Sequence, residues 1–432
     1  MSEIINYTQM SNKAVNPFSN RRNFIKITSL GAVALGLQQV GCSEGGKPAE
    51  PVIPGFETTS TKRNPSEGWV PFSDRKLRVG LVGYGVCKFA ASFGFQNHPN
   101  VEVVAVSDLF PDRCAELAKI TNCKKTYPSL EEMVKDDKIE AIFCGTDAPS
   151  HARHAIEVLK HGKHVATAVP AVFGSLEEAD MLMEAVKKSG LKYMMFETSC
   201  FHEDIYAMRQ IYKAGGFGKL VYTEGEYYHG PSLTGNGVPL GSYKNWRLDM
   251  PPQWYPTHSN AYYIGVTDGT FTEVSCIGSL INTDKPANNQ YKNPFSSEIA
   301  LFRTNEGGIA RMARTDTPGL IDVIGRVQGE KGFFYGKGES DKGEVGMFNM
   351  KYVGYEKNLP DLNRPPIPPG VPPGGHDGSH GALMNDFVLS ILQDRKPLVD
   401  IEMALNLTVS GIIAHQSALK DGEIMKIPQY RI

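Results

Sequence analysis

Apolar positions along this chain change period near residue 197. Before it, short continuous apolar runs recur at LRVGLV (77–82), VEVVAVS, IEAIFCGT, KHVATAV and KYMMFET. Between the later runs lie HARHAIEVLKHG and SLEEADMLMEAVKKSG, whose apolar residues return at helical spacing. Fully apolar strands alternating with amphipathic helices predict a parallel sheet covered on both faces. Beyond residue 197 a helix is expected from about His202 to Ala214. LVYTEGEYYHG and strands around 270 to 335 follow, with period-two alternation. That alternation predicts a mostly antiparallel sheet. SHGALMNDFVLSILQ and EMALNLTVSGIIAHQSAL read as helices packing back across the domains. The fold class is therefore α/β: an N-terminal doubly wound parallel sheet, then a C-terminal α+β domain on a mostly antiparallel sheet.

The first 75 residues follow neither pattern. Arg21 and Arg22, then Phe24 and Lys26, precede an apolar run from Ile27 to Leu37, too short to span a bilayer as a mature helix. This reads as a signal peptide of the twin-arginine type. The run ends at Val40, Gly41 and Cys42, a lipoprotein-like cleavage box with Cys42 as the acylated residue, although Gln39 stands where leucine is usual. Residues 43–75, rich in Pro, Gly, Ser and Thr, read as a flexible tether. The expected organisation is 1–42 signal, 43–75 linker, 76–197 nucleotide domain and 198–432 substrate domain. The expected location is periplasmic or membrane-anchored.

Composition narrows the partners. The chain of 432 residues is 41% hydrophobic and 21% charged, with a net charge of -2. No basic excess points to nucleic acid or an anionic membrane, so membrane attachment is expected only through a lipid on Cys42. The seven cysteines form no CxxC pair and no zinc-ligand spacing, and no metal is expected. A homo-oligomer stays open.

Chemistry enters at KLRVGLVGYGVCKFAASF. Gly83 and Gly85 make a tight turn after the first strand, and Val86 to Phe95 carries a helical apolar pattern. The second strand ends in Asp108, 23 residues beyond Gly85. Strand, glycine turn, helix, strand and acid in that order form a Rossmann fingerprint for NAD. The glycines admit a pyrophosphate to the helix start, and the carboxylate takes ribose hydroxyls. Lys88 occupies the third glycine position, where it either meets phosphate or alters helix packing.

In the second half, WYPTHSNAYY places Tyr255 and His258 beside a helix start, where they either move protons or cap and pack. Strand alternation puts Tyr227 and His229 on one face and Tyr228 on the other. Glu197 ends a parallel strand, where doubly wound folds place ligands; it either meets a ligand or forms an ion pair at a domain seam. Trp246 and Arg247 suit sugar stacking and hydrogen bonding as well as they suit an interdomain anchor. The histidines at 151, 154, 161 and 164 read as packing or solvent residues. The proline run at 364–380 reads by default as an ordered surface loop, with an arm or a lid as the alternatives and His376 or His380 then at a site edge.

The order of GYG, the Thr146–His151 turn and GKHVATAVPA resembles the glucose-fructose oxidoreductase, inositol dehydrogenase and MocA (Gfo/Idh/MocA) family over roughly residues 76–430. The resemblance implies cofactor contacts at Val86, Thr146, His151, Val169 and Pro170, and puts Ala168, Val169 and Pro170 where family oxidoreductases carry Glu-Lys-Pro. Within the family, MMFETSCF, EGEYYHG, NWRL and WYPTHS look similar to the exported NAD-dependent α-N-acetylgalactosaminidases. That likeness implicates Glu197, Tyr227, His229, Tyr255 and His258 in the active site. Thr198, Ser259 and Ala168 depart from those enzymes, which usually carry Asn, Gly and Glu there. The implied activity is a glycosidase cycle that oxidises a sugar at C3 with bound NAD, eliminates across C1–C2, adds water and reduces the ketone again. A redox-neutral cycle suits an exported protein, because a folded chain can carry its cofactor out and needs no resupply. The alternatives are a net saccharide oxidoreductase, such as a glycoside 3-dehydrogenase, and a non-catalytic sugar-binding lipoprotein.

Overall fold

The computed structural model describes residues 64–230, 243–281, 288–316, 322–336 and 364–432, together with the backbone of 348–350 and 354–356. The expected signal, lipid site and most of the tether lie outside these residues.

The first sheet holds β1 (Leu77–Val82), β2 (Val101–Ser107), β3 (Thr126–Tyr127), β4 (Ala141–Cys144), β5 (His164–Thr167) and β6 (Tyr193–Met195). Its order is β3-β2-β1-β4-β5-β6, and its pairings are parallel. Strand order reverses between β1 and β4, so their carboxyl ends open a crevice at the topological switch point. All four residues of β4 are buried, as a central parallel strand requires.

Helix boundaries follow local chemistry. Ser175 caps Leu176–Ser189 by accepting from the Glu178 N–H, and Gly190 closes it in the left-handed region at φ 65°. Asp400 caps Ile401–Ala418 by accepting from Met403 N–H.

One expected element differs. The helix predicted from Val86 begins only at Phe89 and runs to Ser92, followed by a 3-10 turn over Phe95–Asn97. Lys88 precedes it at φ 49°, a left-handed conformation that ends the loop one turn later than apolar spacing suggests.

The second sheet contains β7 (Leu220–Tyr228), β8 (Phe271–Ser279), β9 (Ser297–Thr304), β10 (Ile309–Thr315), β11 (Asp322–Gly329), β12 (Gly332–Tyr335), β13 (Phe348–Met350), β14 (Gly354–Glu356) and β15 (Met425–Lys426). The order is β14-β13-β12-β11-β7-β10-β9-β8-β15. Its pairings are antiparallel except β7 with β10, which is parallel. β9 alternates strictly between buried and exposed positions. Its outer face, continued onto β8 and β10, leaves Ile277, Ile299, Leu301 and Ile309 exposed. The inner face packs on the long C-terminal helix, where Thr408 reaches Ala171 N–H and His415 donates from Nδ1 to Glu298 Oε1 at 2.6 Å. Among the described residues, no helix is long and apolar enough to cross a membrane.

Candidate active site

A cleft of about 230 Å³ runs from the glycine turn to the segment that carries Trp246, Arg247 and Tyr255. Gly83 sits at φ +92°, and a Cβ there would lie 2.3 Å from Gly145 O. Only glycine lets the turns after β1 and β4 touch. Gly85 faces open space, with nothing within 4 Å of where a Cβ would stand. Asp108 anchors the far wall, its Oδ2 accepting from Tyr84 N–H at 2.6 Å and Oδ1 from Phe110 N–H at 2.8 Å. Each carboxylate oxygen keeps further acceptor capacity for ribose hydroxyls. A cradle that excludes a side chain at one glycine and opens at the other, facing a fixed carboxylate, fits a dinucleotide.

Several expected cofactor residues line this cleft: Val86, Lys88, Thr146, His151 and Val169. Lys88 pairs with Glu116 at 2.9 Å on the surface, which supplies a partner the sequence did not indicate. His151 is buried, with Nδ1 2.8 Å from Pro170 O and Nε2 3.1 Å from Thr146 O. Both ring nitrogens thus face backbone carbonyls, so the side chain ties the Thr146 turn to the Val169–Pro170 segment. Pro170 itself is buried behind Val169 and is not part of the cleft wall.

The inner end of the cleft is aromatic. Trp246, Arg247 and Tyr255 line it, and the Arg247 guanidinium lies 4.4 Å from the Trp246 ring centre and 5.4 Å from that of Tyr255. Tyr227 meets Tyr255 at 6.1 Å between ring centres and His258 at 4.5 Å, edge to face. The Tyr227 and His229 rings are 5.6 Å apart, as strand alternation predicts for co-facing residues. Register explains what lies beneath them. Arg314 on β10 pairs with Tyr227 on β7, and its guanidinium sits 4.5 Å from the Tyr227 ring.

Glu197 forms an ion pair with His258, one of the two readings that the sequence left open. It is wholly buried two residues past β6, and its Oε1 accepts from His258 Nδ1–H at 2.6 Å and from Ser199 N–H at 2.8 Å. Ser199 Oγ lies 3.1 Å from the same Nδ1. With Nδ1 committed to the carboxylate, the lone pair of the neutral ring falls on Nε2. Burial alone raises the Glu197 pKa, but the His258 ring, by charge and hydrogen bond, outweighs it and holds the group below the usual carboxylate range. Burial pushes the Tyr255 phenol up, partly opposed by Arg247. Burial, reinforced by Arg314, pushes His229 down.

Two contributors, Ser199 and Arg314, escaped the sequence reading, while His376 and His380 were candidates for a site edge. Ser199 lies inside a quoted motif, yet nothing marked its hydroxyl. Arg314 is 87 positions from Tyr227 and arrives through strand pairing. His376 and His380 stand 2.8 Å apart, with His376 against Phe89 and His380 against Phe89 and Phe93. Burial, followed by the His258 charge, pushes His376 down to about 4. The proline run delivers these rings: its Arg364 donates to Phe201 O and Ile367 N–H to Pro65 O before the helix Gly375–Leu392 begins. Among the described residues no His, Cys, Asp or Glu cluster could hold a metal.

Residues 77–197 match the family model described as an oxidoreductase family with an NAD-binding Rossmann fold, Gfo/Idh/MocA. They form a Gfo/Idh/MocA NAD-binding domain. A glycosyl hydrolase family 109 protein of Bacteroides fragilis is 28% identical over 242 residues, covering 51% of this chain and 49% of that protein. The chain thus spans about half the length of that relative. A second member, from Solibacter usitatus, is 23% identical over 73% of this chain and 74% of its own. Among solved structures, a levoglucosan dehydrogenase in complex with NADH and levoglucosan superposes with a TM-score of 0.64. It has 17% identity and covers 82% of this chain and all of that one. At that identity the likeness shows the fold alone, over 82% of the chain.

Proposed function

We propose that this chain is an NAD-dependent enzyme acting on sugars, and that it runs a glycosidase cycle begun by oxidation at C3. The observation that carries the proposal is the buried Glu197–His258 pair, with Tyr227 and Tyr255 around it, standing behind Tyr255, which lines the dinucleotide cleft. The glycosyl hydrolase names of the relatives support the substrate class. Gly83, Gly85, Asp108, Thr146 and Val169 would hold NAD, which when bound supplies a reversible hydride acceptor at a sugar carbon.

The remaining chemistry falls to this chain's own groups. His258 Nε2 accepts the C3 hydroxyl proton, while Glu197 fixes the ring's tautomer and balances the resulting imidazolium. A ketone at C3 acidifies the C2 hydrogen, and we assign its removal to Tyr255, whose phenolate the Arg247 guanidinium would stabilise. Tyr227 and His229 serve the departing C1 group, and Trp246 and Arg247 bind the ring. Water then adds with its hydroxyl at C1 while Tyr255 returns a proton to C2, and His258 gives its proton back to the C3 oxygen as the alcohol is restored.

One observation favours the second reading, a net saccharide oxidoreductase. Burial raises the Tyr255 pKa, so the phenol holds its proton and the C2 step is the harder one. Incubating cofactor-loaded protein with mixed glycosides in D2O separates the two. Free sugar carrying deuterium at C2, without net NADH, supports the glycosidase. A 3-keto product with the C1 linkage intact supports the oxidoreductase.

We also propose that residues 1–42 direct export through the twin-arginine route, with lipid attached at Cys42. The exposed apolar face of the second sheet is our candidate for self-association.

A further inference from the structure

A second cavity, of about 500 Å³, lies away from the cleft, walled by the helix Glu203–Lys213, the helix Gly375–Leu392 and the segment 395–403. At its wall is Arg209, only 5% exposed. Its Nε donates to Gly265 O at 2.5 Å and its Nη2 to Cys200 O at 3.0 Å. No carboxylate pairs with it among the described residues, and its Nη1 makes no protein hydrogen bond there. A guanidinium carries five N–H donors and its charge is costly to bury unpaired. Its two direct partners are neutral carbonyls, and the carboxylates of Asp386 and Asp268 act on its charge only from beyond ion-pair distance.

The other charges around the cavity are mostly spoken for. Arg395 pairs with Asp386 at 2.7 Å, Lys396 with Asp400 at 3.5 Å, and Arg364 with Glu203 at 3.6 Å. Lys213 stands one helical turn beyond Arg209 on the same face, exposed and without an ion pair among the described residues. Phe201, Val266, Leu389 and Leu398 supply apolar wall between these groups. One deep fork with spare donors, one outer cation and apolar sides suit a single negative charge carried on an apolar body. Asp268, Asp386, Asp400 and Glu402 around the same space oppose a dianion.

We propose that this cavity binds a monoanionic carboxylate with an apolar body, its carboxylate on Arg209 and its body between the two helices. The site is distinct from the NAD cleft and does not depend on the sugar chemistry proposed above. One turn links it to the Glu197–His258 pair: Arg209 holds Cys200 O, and the neighbouring Ser199 contacts Glu197 and His258.

Calorimetric titration of the full-length, NAD-loaded protein tests this with phenylacetate, its neutral isostere phenylacetamide, and inorganic phosphate. The expected result is one site for phenylacetate, with phenylacetamide and phosphate each bound at least about tenfold more weakly. Ala382→Phe, which fills the cavity and leaves Arg209 in place, should abolish phenylacetate binding without changing NAD content. Lys213→Gln, an exposed change that spares the fold, should weaken it severalfold. Equal binding of acid and amide would overturn the proposal, as would phosphate binding as tightly as phenylacetate. Binding that survives Ala382→Phe, or that is displaced by saccharide, would also overturn it.

Discussion

The most informative perturbation is Glu197→Gln, because the local hydrogen bonds dictate how the amide must sit. Both His258 Nδ1–H and Ser199 N–H point at Oε1, at 2.6 and 2.8 Å, so the glutamine carbonyl must take that position. The imidazole tautomer is then preserved and only the negative charge is lost. Glu197 is 0% and His258 6% exposed, so solvent screens their interaction little. A hydrogen bond to a charged partner contributes about 1.5–3 kcal/mol, which predicts a loss in kcat of about 10- to 150-fold. NAD content, measured on the denatured protein, should not change. Acid dependence gives a second readout. The folded pKa of Glu197 is depressed, so its stabilisation is complete above the unfolded carboxylate value and is lost as pH falls through the lower folded one. Wild type should therefore exceed Glu197→Gln in stability at neutral pH, and the gap should close in acid. A variant that retains kcat within about threefold would refute a proton-transfer role for His258 supported by this carboxylate.

The remaining predictions address the cleft, the sheet face and export. Asp108→Ser removes the charged acceptor proposed for the ribose and should weaken NAD by about 10- to 150-fold in equilibrium titration. It should also lower Tm, since Tyr84 N–H and Phe110 N–H lose their acceptor. Gly83→Ala forces a Cβ to within 2.3 Å of Gly145 O at φ +92°, and should lower stability by about 2–4 kcal/mol in denaturant unfolding together with NAD retention. Ile299→Glu puts charge on the exposed apolar face and should leave a monomer in sedimentation velocity if that face self-associates. Arg21→Lys with Arg22→Lys should retain the chain in the cytoplasmic fraction on cell fractionation.

What could be read in the sequence was what depends on local period and short spacing. Gly83, Gly85 and Asp108 follow from strand, turn and strand in order, and the co-facing of Tyr227 and His229 follows from a period of two. What could not be read was where the chain turns out of its pattern and what strand pairing brings together. Lys88 takes a left-handed conformation that its residue type does not announce, and so delays a helix by one turn. Glu197 at a strand end left a ligand contact and an ion pair both open, and its partner could not be named, because the 3-10 turn Thr198–Phe201 and a residue 61 positions on bring it to His258. Arg314 belongs to the site only because β10 pairs with β7 in one register.

The same geometry bears on the absent lysine of the family's Glu-Lys-Pro motif. Ala168 and Val169 line the cleft with no titratable atom, so nothing at that loop can exchange a proton with a sugar. Arg247 lines the inner end, and a guanidinium keeps its protons throughout the accessible pH range. It can bind a hydroxyl or stabilise a phenolate, but it cannot act as a base. In the proposed cycle proton transfer therefore falls to His258, which has a carboxylate on one nitrogen and its other nitrogen free of protein partners among the described residues. Restoring the motif with Val169→Lys therefore should not rescue Glu197→Gln. If it did, measured as kcat in the double variant, the proton route would run along the first sheet and the assignment to His258 would fail.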